Sequence, residues 1–345
     1  MTSRKITYCA AINEALTQAM ERDPKVFVMG IGADDHKELF GSAKGLLQRF
    51  GPERIFDTPI SESAMTGVAI GAALEGMKPV HVHIRADFLY LAMDQLFNMA
   101  AKWRYMFGGS RSVPLVVRAV IGRSWGQGAQ HSQSPQSMFM HVPGLKVVMP
   151  TTPRDAKGLL LAAIADPDPV VVIEHRLLYD IVGEVPEEPF ELPFGKAYVR
   201  REGKDVTIVA NSYMVAESMK AAEFLSGHGV EAEVVDPVSL SPLDERTILE
   251  SVRKTGRLLV VDTSWTACGA SAEIAALVAD KGFDSLKQGI VRLGQQPSPC
   301  PVAKPLEDAF YPSARKIART VFEMLDRRVP EAEVPALTHK FRGPF

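Results

Sequence analysis

Short runs of apolar and β-branched residues alternate with helix-period segments along most of the 345-residue chain. Three of these runs read VFVM at 26–29, PLVVRAV at 114–120 and RLLVVDTS at 257–264. This alternation is typical of doubly wound parallel sheets, because a helix returns the chain to the end of the sheet where the next parallel strand starts. Ligands of such sheets bind beyond the carboxyl ends of the strands. We therefore expect an α/β protein with its site at that edge.

The chain is too long for one ordinary core, and its character changes after Tyr179. Residues 181–195 are rich in proline and acidic residues, which is typical of a linker, and the alternation of strands and helices then resumes. We predict a doubly wound first domain at 1–185, a linker at 186–203 and a second, smaller α/β domain at 204–328. A tail of low periodicity follows at 329–345.

Composition excludes several classes of protein. A net charge of −2 with scattered Lys and Arg provides no basic surface for nucleic acid. No apolar run approaches the roughly 20 residues that span a bilayer, and the N-terminus lacks the features of a secretory signal. Cys9, Cys268 and Cys300 are odd in number and far apart, which favours reduced thiols. We expect a cytoplasmic protein that binds neither membranes nor nucleic acid.

The stretch from Asp57 to Leu74, DTPISESAMTGVAIGAAL, combines a turn, one acidic residue and a long uncharged segment. Ser61 is placed to cap a helix whose first turn contains Glu62. One interpretation of Glu62 is a simple helix cap. The other is a carboxylate in a poorly hydrated pocket that exchanges a proton or hydrogen bond with a heteroaromatic ring. The small residues that follow would allow close approach of a second subunit or a cofactor.

Two other motifs carry weaker signals. Gly30 and Gly32 follow a strand, but Asp35 stands where a dinucleotide loop needs its third glycine, so nicotinamide binding is not favoured. His81 and His83 fall on one face of a predicted strand. Because the sequence offers no evident third metal ligand, packing or hydrogen bonding is favoured over metal binding for this pair.

Five segments together resemble a known family. They are DTPISES at 57–63, ADFLYLAMDQ at 86–95, QHSQSP at 130–135, HVPGLKVVMP at 141–150 and DAKGLLLAAI at 155–164. The chain resembles the beta subunit of the thiamine-diphosphate-dependent decarboxylating component of 2-oxo acid dehydrogenase complexes, including the pyruvate, branched-chain and acetoin members. The resemblance spans about residues 5–325. It implies a transketolase-type pyrimidine-binding domain followed by a transketolase C-terminal domain.

The resemblance assigns roles to individual residues. It implies that Glu62 is the carboxylate that hydrogen-bonds the pyrimidine ring of thiamine diphosphate and that Phe88 stacks on this ring. Ile60 and Ile84 are further expected cofactor contacts. His131 matches the active-site histidine of the family, which handles protons or orients the intermediate for transfer to a lipoyl group. Glu62 and His131 are therefore the expected catalytic residues.

The same resemblance implies ions and partners. Some of these subunits bind a structural potassium ion through backbone oxygens, and the matching turn contains Ala163, Asp166 and Asp168. The family holds the diphosphate and its magnesium through a Gly-Asp-Gly motif on the alpha subunit, and this chain has no such motif. We therefore expect two alpha and two beta subunits, active only together, with a lipoyl acyltransferase core as a further partner and a 2-oxo acid as substrate.

The chain departs from the family pattern near the expected site. The family commonly has an aromatic residue and a Gln or Glu just before Ala86, where this chain has His83, Ile84 and Arg85. Arg85 is expected either to meet an acidic group of the substrate or to be paired at a subunit interface.

Two other functions remain open from the sequence. The chain could be half of a split transketolase-like enzyme that moves ketol units, although the Ile-Ser-Glu-Ser context of Glu62 follows the dehydrogenase pattern. It could also be a scaffold that has lost catalysis, in which case Glu62→Gln would change nothing.

Overall fold

The computed structural model describes residues 3–35, 39–122, 126–330 and 334, and these fall into two compact units. The first unit contains the residues up to 122 together with 138–194. The second contains 126–137 and the described residues from 195 onward. Most of the expected tail at 329–345 lies outside the described residues.

Strands and helices alternate throughout both units, as the sequence pattern predicts. Up to residue 194 the elements are β1 (Ser3–Thr7), α1 (Tyr8–Arg22), β2 (Val26–Gly30), α2 (Leu46–Phe50), β3 (Ile55–Phe56), α3 (Glu62–Leu74), β4 (Lys78–His83), α4 (Ala101–Met106), β5 (Val116–Ile121), α5 (Gln136–Met140), β6 (Lys146–Val148), α6 (Pro153–Ala165), β7 (Val170–His175) and β8 (Val182–Pro186). The remaining elements are β9 (Tyr198–Arg201), β10 (Val206–Ala210), α7 (Tyr213–Ser226), β11 (Ala232–Asp236), β12 (Ser239–Ser241), α8 (Glu245–Thr255), β13 (Leu258–Trp265), α9 (Ala270–Lys281), β14 (Val291–Gln295), α10 (Lys304–Phe310) and α11 (Ala314–Met324).

Six strands of the first unit form a parallel sheet in the order β6-β7-β5-β4-β2-β3. The central strands β5 and β7 are buried along their whole length, which explains their continuous apolar sequence. Helix α1 packs against α6, and α3 packs against β4. Strand β3 lies on one side of β2 and β4 on the other, so the strand order reverses at β2, and the carboxyl ends of these strands open onto a crevice.

Apolar residues at helical spacing across 6–22 predict a first helix, and in the structure this helix starts two residues later. Residues Ser3–Thr7 pair antiparallel with Val182–Pro186, so the strand β1 precedes a helix that begins at Tyr8. Strand β8 also overlaps the proline-rich stretch that reads as a linker. The sequence could not show this pairing, because each strand is only half-buried and its partner is far along the chain.

The helical period of the apolar residues at 85–109 predicts a single helix, but the structure of this segment is less regular. It winds as a 3₁₀ turn at Ala86–Ala92 and a π turn at Gln95–Ala100 before α4 begins. The irregular winding sits against a close backbone contact: a Cβ on Gly144, whose φ is +97°, would lie 2.0 Å from the Ala101 carbonyl oxygen. Apolar periodicity alone does not distinguish these windings from an α-helix.

The second unit contains a five-stranded sheet in the order β14-β13-β10-β11-β9. All neighbours are parallel except β9, which pairs antiparallel with β11 at the edge. Strand β9 falls inside the stretch that we expected to be a linker. A core formed by these strands with α8 and α9 includes Val209, Val235, Ile248, Val260 and Ile274.

Two expectations about the whole chain concern membranes and thiols. Across the described ranges, no helix is both long and apolar enough to cross a bilayer. Within the described residues, Cys9, Cys268 and Cys300 form no disulfide, as their spacing predicts. Burial raises the pKa of the Cys9 thiol to about 12, so this cysteine is a packing residue rather than a nucleophile.

Candidate active site

A cleft opens at the carboxyl ends of β2, β3 and β4, at the edge where the sequence places the site. It encloses about 310 Å³ including its open mouth. Ile31 enters it directly after β2, Glu62 after β3, and Ile84 and Phe88 after β4. Three segments that are separate in the chain therefore meet here because they leave neighbouring parallel strands.

Two contacts hold the loops of this cleft in place. A Cβ on Gly30 would lie 2.4 Å from the Val82 carbonyl oxygen, so only glycine allows β2 to approach β4 this closely. Oδ1 of Asp57 accepts hydrogen bonds from the backbone N–H groups of Gly32 (2.7 Å) and Thr58 (2.8 Å). Asp57 thus ties the loop after β2 to the turn that leads into α3. The sequence marks Asp57 only as a turn residue, since its partner at Gly32 is distant in the chain.

Glu62 is the first residue of α3 and lines the cleft with a side chain that is only 7% exposed. In the described chain its carboxylate has no hydrogen-bond or ion-pair partner. Ser61 occupies the N-cap position as predicted, but its side chain makes no capping hydrogen bond. Glu62 therefore points a nearly buried carboxylate at the cleft from the positive end of a 13-residue helix. This geometry favours the interpretation of Glu62 as a carboxylate in a poorly hydrated pocket over that of a simple helix cap.

His81 and His83 form the floor of the cleft, side by side as their spacing predicts. Their ring centroids lie 4.3 Å apart, and Nδ1 of His81 lies 3.3 Å from Oγ1 of Thr66. Burial lowers the pKa of His81 to about 4, and burial together with the His81 ring lowers the pKa of His83 well below its usual range. Both rings are neutral at pH 7, and Nε2 of His83 is buried without a hydrogen-bond partner. No cluster of His, Cys, Asp or Glu among the described residues could hold a metal ion.

The other expected cofactor contacts differ in position. Phe88 lines the cleft and remains 37% exposed, which is high for a phenylalanine that only packs into a core. Ile84 lines the cleft beside it. Ile60 is 82% exposed on the turn before Glu62 and does not line the cleft. Glu62, Ile84 and Phe88 are thus brought together, whereas a role for Ile60 requires something outside this chain to meet it.

His131, the second expected catalytic residue, lies in the segment 126–137, which groups with the second unit. The carbonyl oxygen of the adjacent Ser132 accepts hydrogen bonds from the Gln295 amide and the Tyr311 hydroxyl, both at 3.4 Å. These bonds hold the polar loop that carries His131 to its own unit. The catalytic role of His131 stays a prediction.

The turn expected to hold potassium follows α6. Asp166 Oδ1 accepts from Lys146 Nζ at 2.6 Å and from the Asp168 backbone N–H at 2.8 Å, so its carboxylate is already neutralised. The carbonyl of Ala163 cannot form its helical hydrogen bond, because the residue four positions later is Pro167, which has no N–H. Such a carbonyl fits a cation held by backbone oxygens. Binding of potassium through Ala163, Asp166 and Asp168 stays a prediction.

Two domain families and several known proteins match most of this chain. Residues 4–181 match the transketolase pyrimidine-binding domain, and residues 195–317 match the transketolase C-terminal domain. Subunit beta of acetoin:2,6-dichlorophenolindophenol oxidoreductase from Cupriavidus necator is 48% identical over 92% of this chain and 96% of the relative. The pyruvate dehydrogenase E1 component subunit beta-2 of Oryza sativa is 44% identical over 96% of this chain and 89% of the relative. The chain belongs to the family of E1 beta subunits.

Membership of the E1 beta family agrees with the fold and with the motifs that carried the resemblance. A solved structure titled as a split-gene transketolase in an inactive beta4 tetramer superposes with a TM-score of 0.75 over 93% of this chain and 98% of that chain. Its sequence identity is 24%, so this likeness shows the fold alone. The transketolase-type two-domain α/β fold of the E1 beta family is therefore the fold of this chain.

Proposed function

We propose that this chain is the beta subunit of a thiamine-diphosphate-dependent 2-oxo acid or acetoin dehydrogenase. Together with an alpha subunit it would carry out oxidative decarboxylation of a 2-oxo acid, or oxidative cleavage of acetoin with release of acetaldehyde, and pass the acyl group to a lipoyl group. The observation that carries this proposal is the nearly buried, unpaired Glu62 carboxylate in the cleft at the sheet edge. Relatives named acetoin oxidoreductase and pyruvate dehydrogenase subunits support the oxidoreductase class.

The residues of the cleft fit the pyrimidine ring of thiamine diphosphate. Glu62 offers a carboxylate and His83 an Nε2 atom, and in the described chain neither has a hydrogen-bond partner. Phe88 offers an exposed aromatic face, and Ile84 an apolar contact. A flat heteroaromatic ligand with nitrogen atoms at its edge satisfies this combination of a polar edge and an apolar face.

Each of these side chains has a definable task. Thiamine diphosphate, when bound, supplies the electron sink for loss of carbon dioxide, which no amino-acid side chain provides. Glu62 holds a proton at a ring nitrogen, and the low local dielectric strengthens this hydrogen bond. Phe88 orients the ring by stacking. The neutral rings of His81 and His83 place no positive charge beside Glu62, so they do not draw its hydrogen bond away.

The alpha subunit is the proposed source of the remaining groups. This chain lacks the Gly-Asp-Gly motif, so the diphosphate and its magnesium would be held by a partner that carries it. The name "subunit beta" of the relatives supports a multi-subunit enzyme. We infer an assembly of two alpha and two beta chains that passes its product to a lipoyl acyltransferase core.

The decisive experiment is co-expression with a chain that contains the Gly-Asp-Gly motif. The purified complex is assayed with 2-oxo acids for release of carbon dioxide, and with acetoin, using 2,6-dichlorophenolindophenol as electron acceptor. Release of carbon dioxide, or oxidation of acetoin, supports the proposal. Transfer of a ketol unit from one sugar to another would instead identify half of a split transketolase. A complex that binds its partner but catalyses none of these reactions would identify a scaffold.

A further inference from the structure

Arg85 forms part of the cleft wall at a position that the proposed chemistry does not explain. Arg85 lies two residues after the end of β4. It lines the cleft with Glu62 and is half-buried. Its guanidinium carbon lies 5.4 Å from the centre of the Phe40 ring. Arg176, which follows β7, places its own guanidinium 4.7 Å from the centre of the same ring. Phe40 therefore brings two positive charges together beside the cleft.

The charge of Arg85 is poorly compensated by the described residues. Its Nη1 donates to the Ile84 carbonyl oxygen at 2.9 Å, its Nε is buried without a hydrogen-bond partner, and no described carboxylate lies within ion-pair distance. Asp87 attracts it only at longer range. Burial holds the pKa of Arg85 below its usual range, and burial with the charge of Arg85 lowers the pKa of Arg176 to about 9. Desolvation of Arg85 and its repulsion with Arg176 thus raise the free energy of this arrangement.

An anion in the cleft would relieve that cost. A guanidinium presents parallel N–H donors that match the two oxygens of a carboxylate, and stacking on Phe40 fixes the plane of the fork. A lysine or a neutral residue would not combine this shape with this charge. The surroundings of Arg85 therefore favour binding of a carboxylate over a purely structural role.

We propose that Arg85, supported by Arg176, binds a second carboxylate of the substrate, which makes the preferred substrate a 2-oxo dicarboxylic acid. This inference rests on the proposed function, because it assigns the substrate class of the same cleft. Arg85 is then a specificity-determining residue, and the expectation that it meets an acidic substrate group is preferred over pairing at a subunit interface.

The carboxylate that Arg85 binds is the one that the reaction retains. Decarboxylation converts the carboxylate next to the carbonyl group into neutral carbon dioxide. A guanidinium that binds this group tightly would stabilise the ground state more than the transition state and would slow the reaction. A charge pair with the far carboxylate persists through the reaction and contributes to binding throughout. A positive charge in the cleft therefore serves this reaction better when it pairs with a second anionic group than with the carboxylate that is lost.

The test compares 2-oxopentanedioate, which has the second carboxylate, with 2-oxopentanoate, which has a methyl group there. In the complex with the alpha subunit, kcat/KM is expected to favour the dianion. Arg85→Met should lower the ratio of kcat/KM for the dianion to kcat/KM for the monoanion by about 10- to 100-fold, as loss of a charged hydrogen bond to the dianion does. For Arg85→Lys, the same ratio of kcat/KM values should lie between the values for wild type and Arg85→Met. Lysine keeps the positive charge but loses the paired N–H donors of the guanidinium.

Arg154 offers a matched control. Its guanidinium lies 5.2 Å from the centre of the Phe190 ring, so it makes the same kind of contact, but it is exposed and outside the cleft. Arg154→Met should therefore leave the ratio of the two kcat/KM values unchanged. Calorimetric titration of the complex with unreactive pentanedioate gives a second readout, and Arg85→Met should weaken its binding.

The outcomes separate the two proposals. If 2-oxo acids are decarboxylated but the monoanion is preferred and Arg85→Met leaves the ratio of kcat/KM values intact, the proposed function stands and this inference is wrong. If no 2-oxo acid is decarboxylated while pentanedioate binding depends on Arg85, the anion site stands and the proposed function fails. If Arg85→Met prevents association with the alpha subunit, Arg85 is an interface residue and the inference is overturned.

Discussion

Arg118 and Glu174 form a doubly hydrogen-bonded ion pair in the interior of the parallel sheet of the first unit. Nε of Arg118 lies 2.6 Å from Oε1 of Glu174, and Nη2 lies 2.9 Å from Oε2. Nη2 also donates to the Ser42 hydroxyl at 3.0 Å, and the Tyr179 hydroxyl donates to Glu174 at 2.6 Å. Both charged side chains are fully buried. Removing two charges from water is costly, so these bonds must be made together.

We expect a single substitution of this pair to be strongly destabilising. Arg118→Met leaves the Glu174 carboxylate buried without its counter-charge and should lower the free energy of unfolding by about 3–5 kcal/mol, as breaking of a buried pair does. The double variant Arg118→Met/Glu174→Leu should recover most of that loss. Urea unfolding of the three chains measures both effects. A double variant as unstable as the single one would show that packing, rather than charge, dominates here.

Glu62→Gln tests the proposed proton-holding role directly. The amide has the same shape as the carboxyl group but cannot hold a proton at a ring nitrogen in the same way, so decarboxylation by the assembled complex should fall on the order of a thousandfold or more. Glu75→Gln, at the exposed C-terminal end of the same helix, is the matched control and should retain full activity. Both variants should resist urea at least as well as wild type, because neither substitution removes a hydrogen bond among the described residues and Glu62→Gln removes a buried, unpaired charge. Activity of Glu62→Gln within a few-fold of wild type would refute the role.

The buried histidines predict a loss of stability in acid. In the unfolded chain these imidazoles bind protons near the ordinary pKa of 6.5, whereas in the fold the pKa of His81 is about 4 and that of His83 is also lowered. The contribution of these histidines to the free energy of unfolding is therefore greatest above pH 6.5 and decreases as the pH drops below that value. The part contributed by His81 stops decreasing near pH 4. The difference between the pKa of His81 in the unfolded chain and in the fold corresponds to a change in the free energy of unfolding on the order of 3 kcal/mol.

Urea unfolding between about pH 7.5 and about pH 5 measures the slope of the free energy of unfolding against pH. His81→Phe should flatten it, because one of the two buried sites is gone. His228→Phe changes an exposed histidine of the second unit and should leave the slope as in wild type. If the free energy of unfolding of the wild-type chain stays constant or rises as the pH is lowered from about 7.5 to about 5, the burial of neutral imidazoles is contradicted.

His131→Ala separates a catalytic role from a structural one. The loop of His131 is held by hydrogen bonds to the Ser132 carbonyl oxygen, which this substitution does not remove. The variant should therefore assemble with the alpha subunit and bind the cofactor, while kcat falls by about 10²- to 10⁴-fold, as expected for loss of a group that transfers protons. Failure of assembly in size-exclusion chromatography would instead make His131 a structural residue.

Local patterns of the sequence were sufficient for much of the fold and for part of the site. Strands such as Val116–Ile121 are buried on both faces, so their composition identifies them. The i, i+2 spacing places His81 and His83 on one face, and the position of Glu62 at a helix start follows from the turn before it. Strands β1, β8 and β9 were missed because half-buried edge strands lack a strong local signal.

The sequence by itself determined the α/β class and the order of the main elements, and its resemblance to a known family pointed to Glu62, Ile84 and Phe88 as site residues. Only the tertiary structure decided that Asp57 bonds the backbone of Gly32, that Ile60 lies outside the cleft, and that Arg85 and Arg176 meet on Phe40. The physical reason is the separation along the chain of the residues that interact. Periodicity and turn preference depend on neighbours in the chain, whereas these contacts depend on which strand ends the folded sheet places side by side.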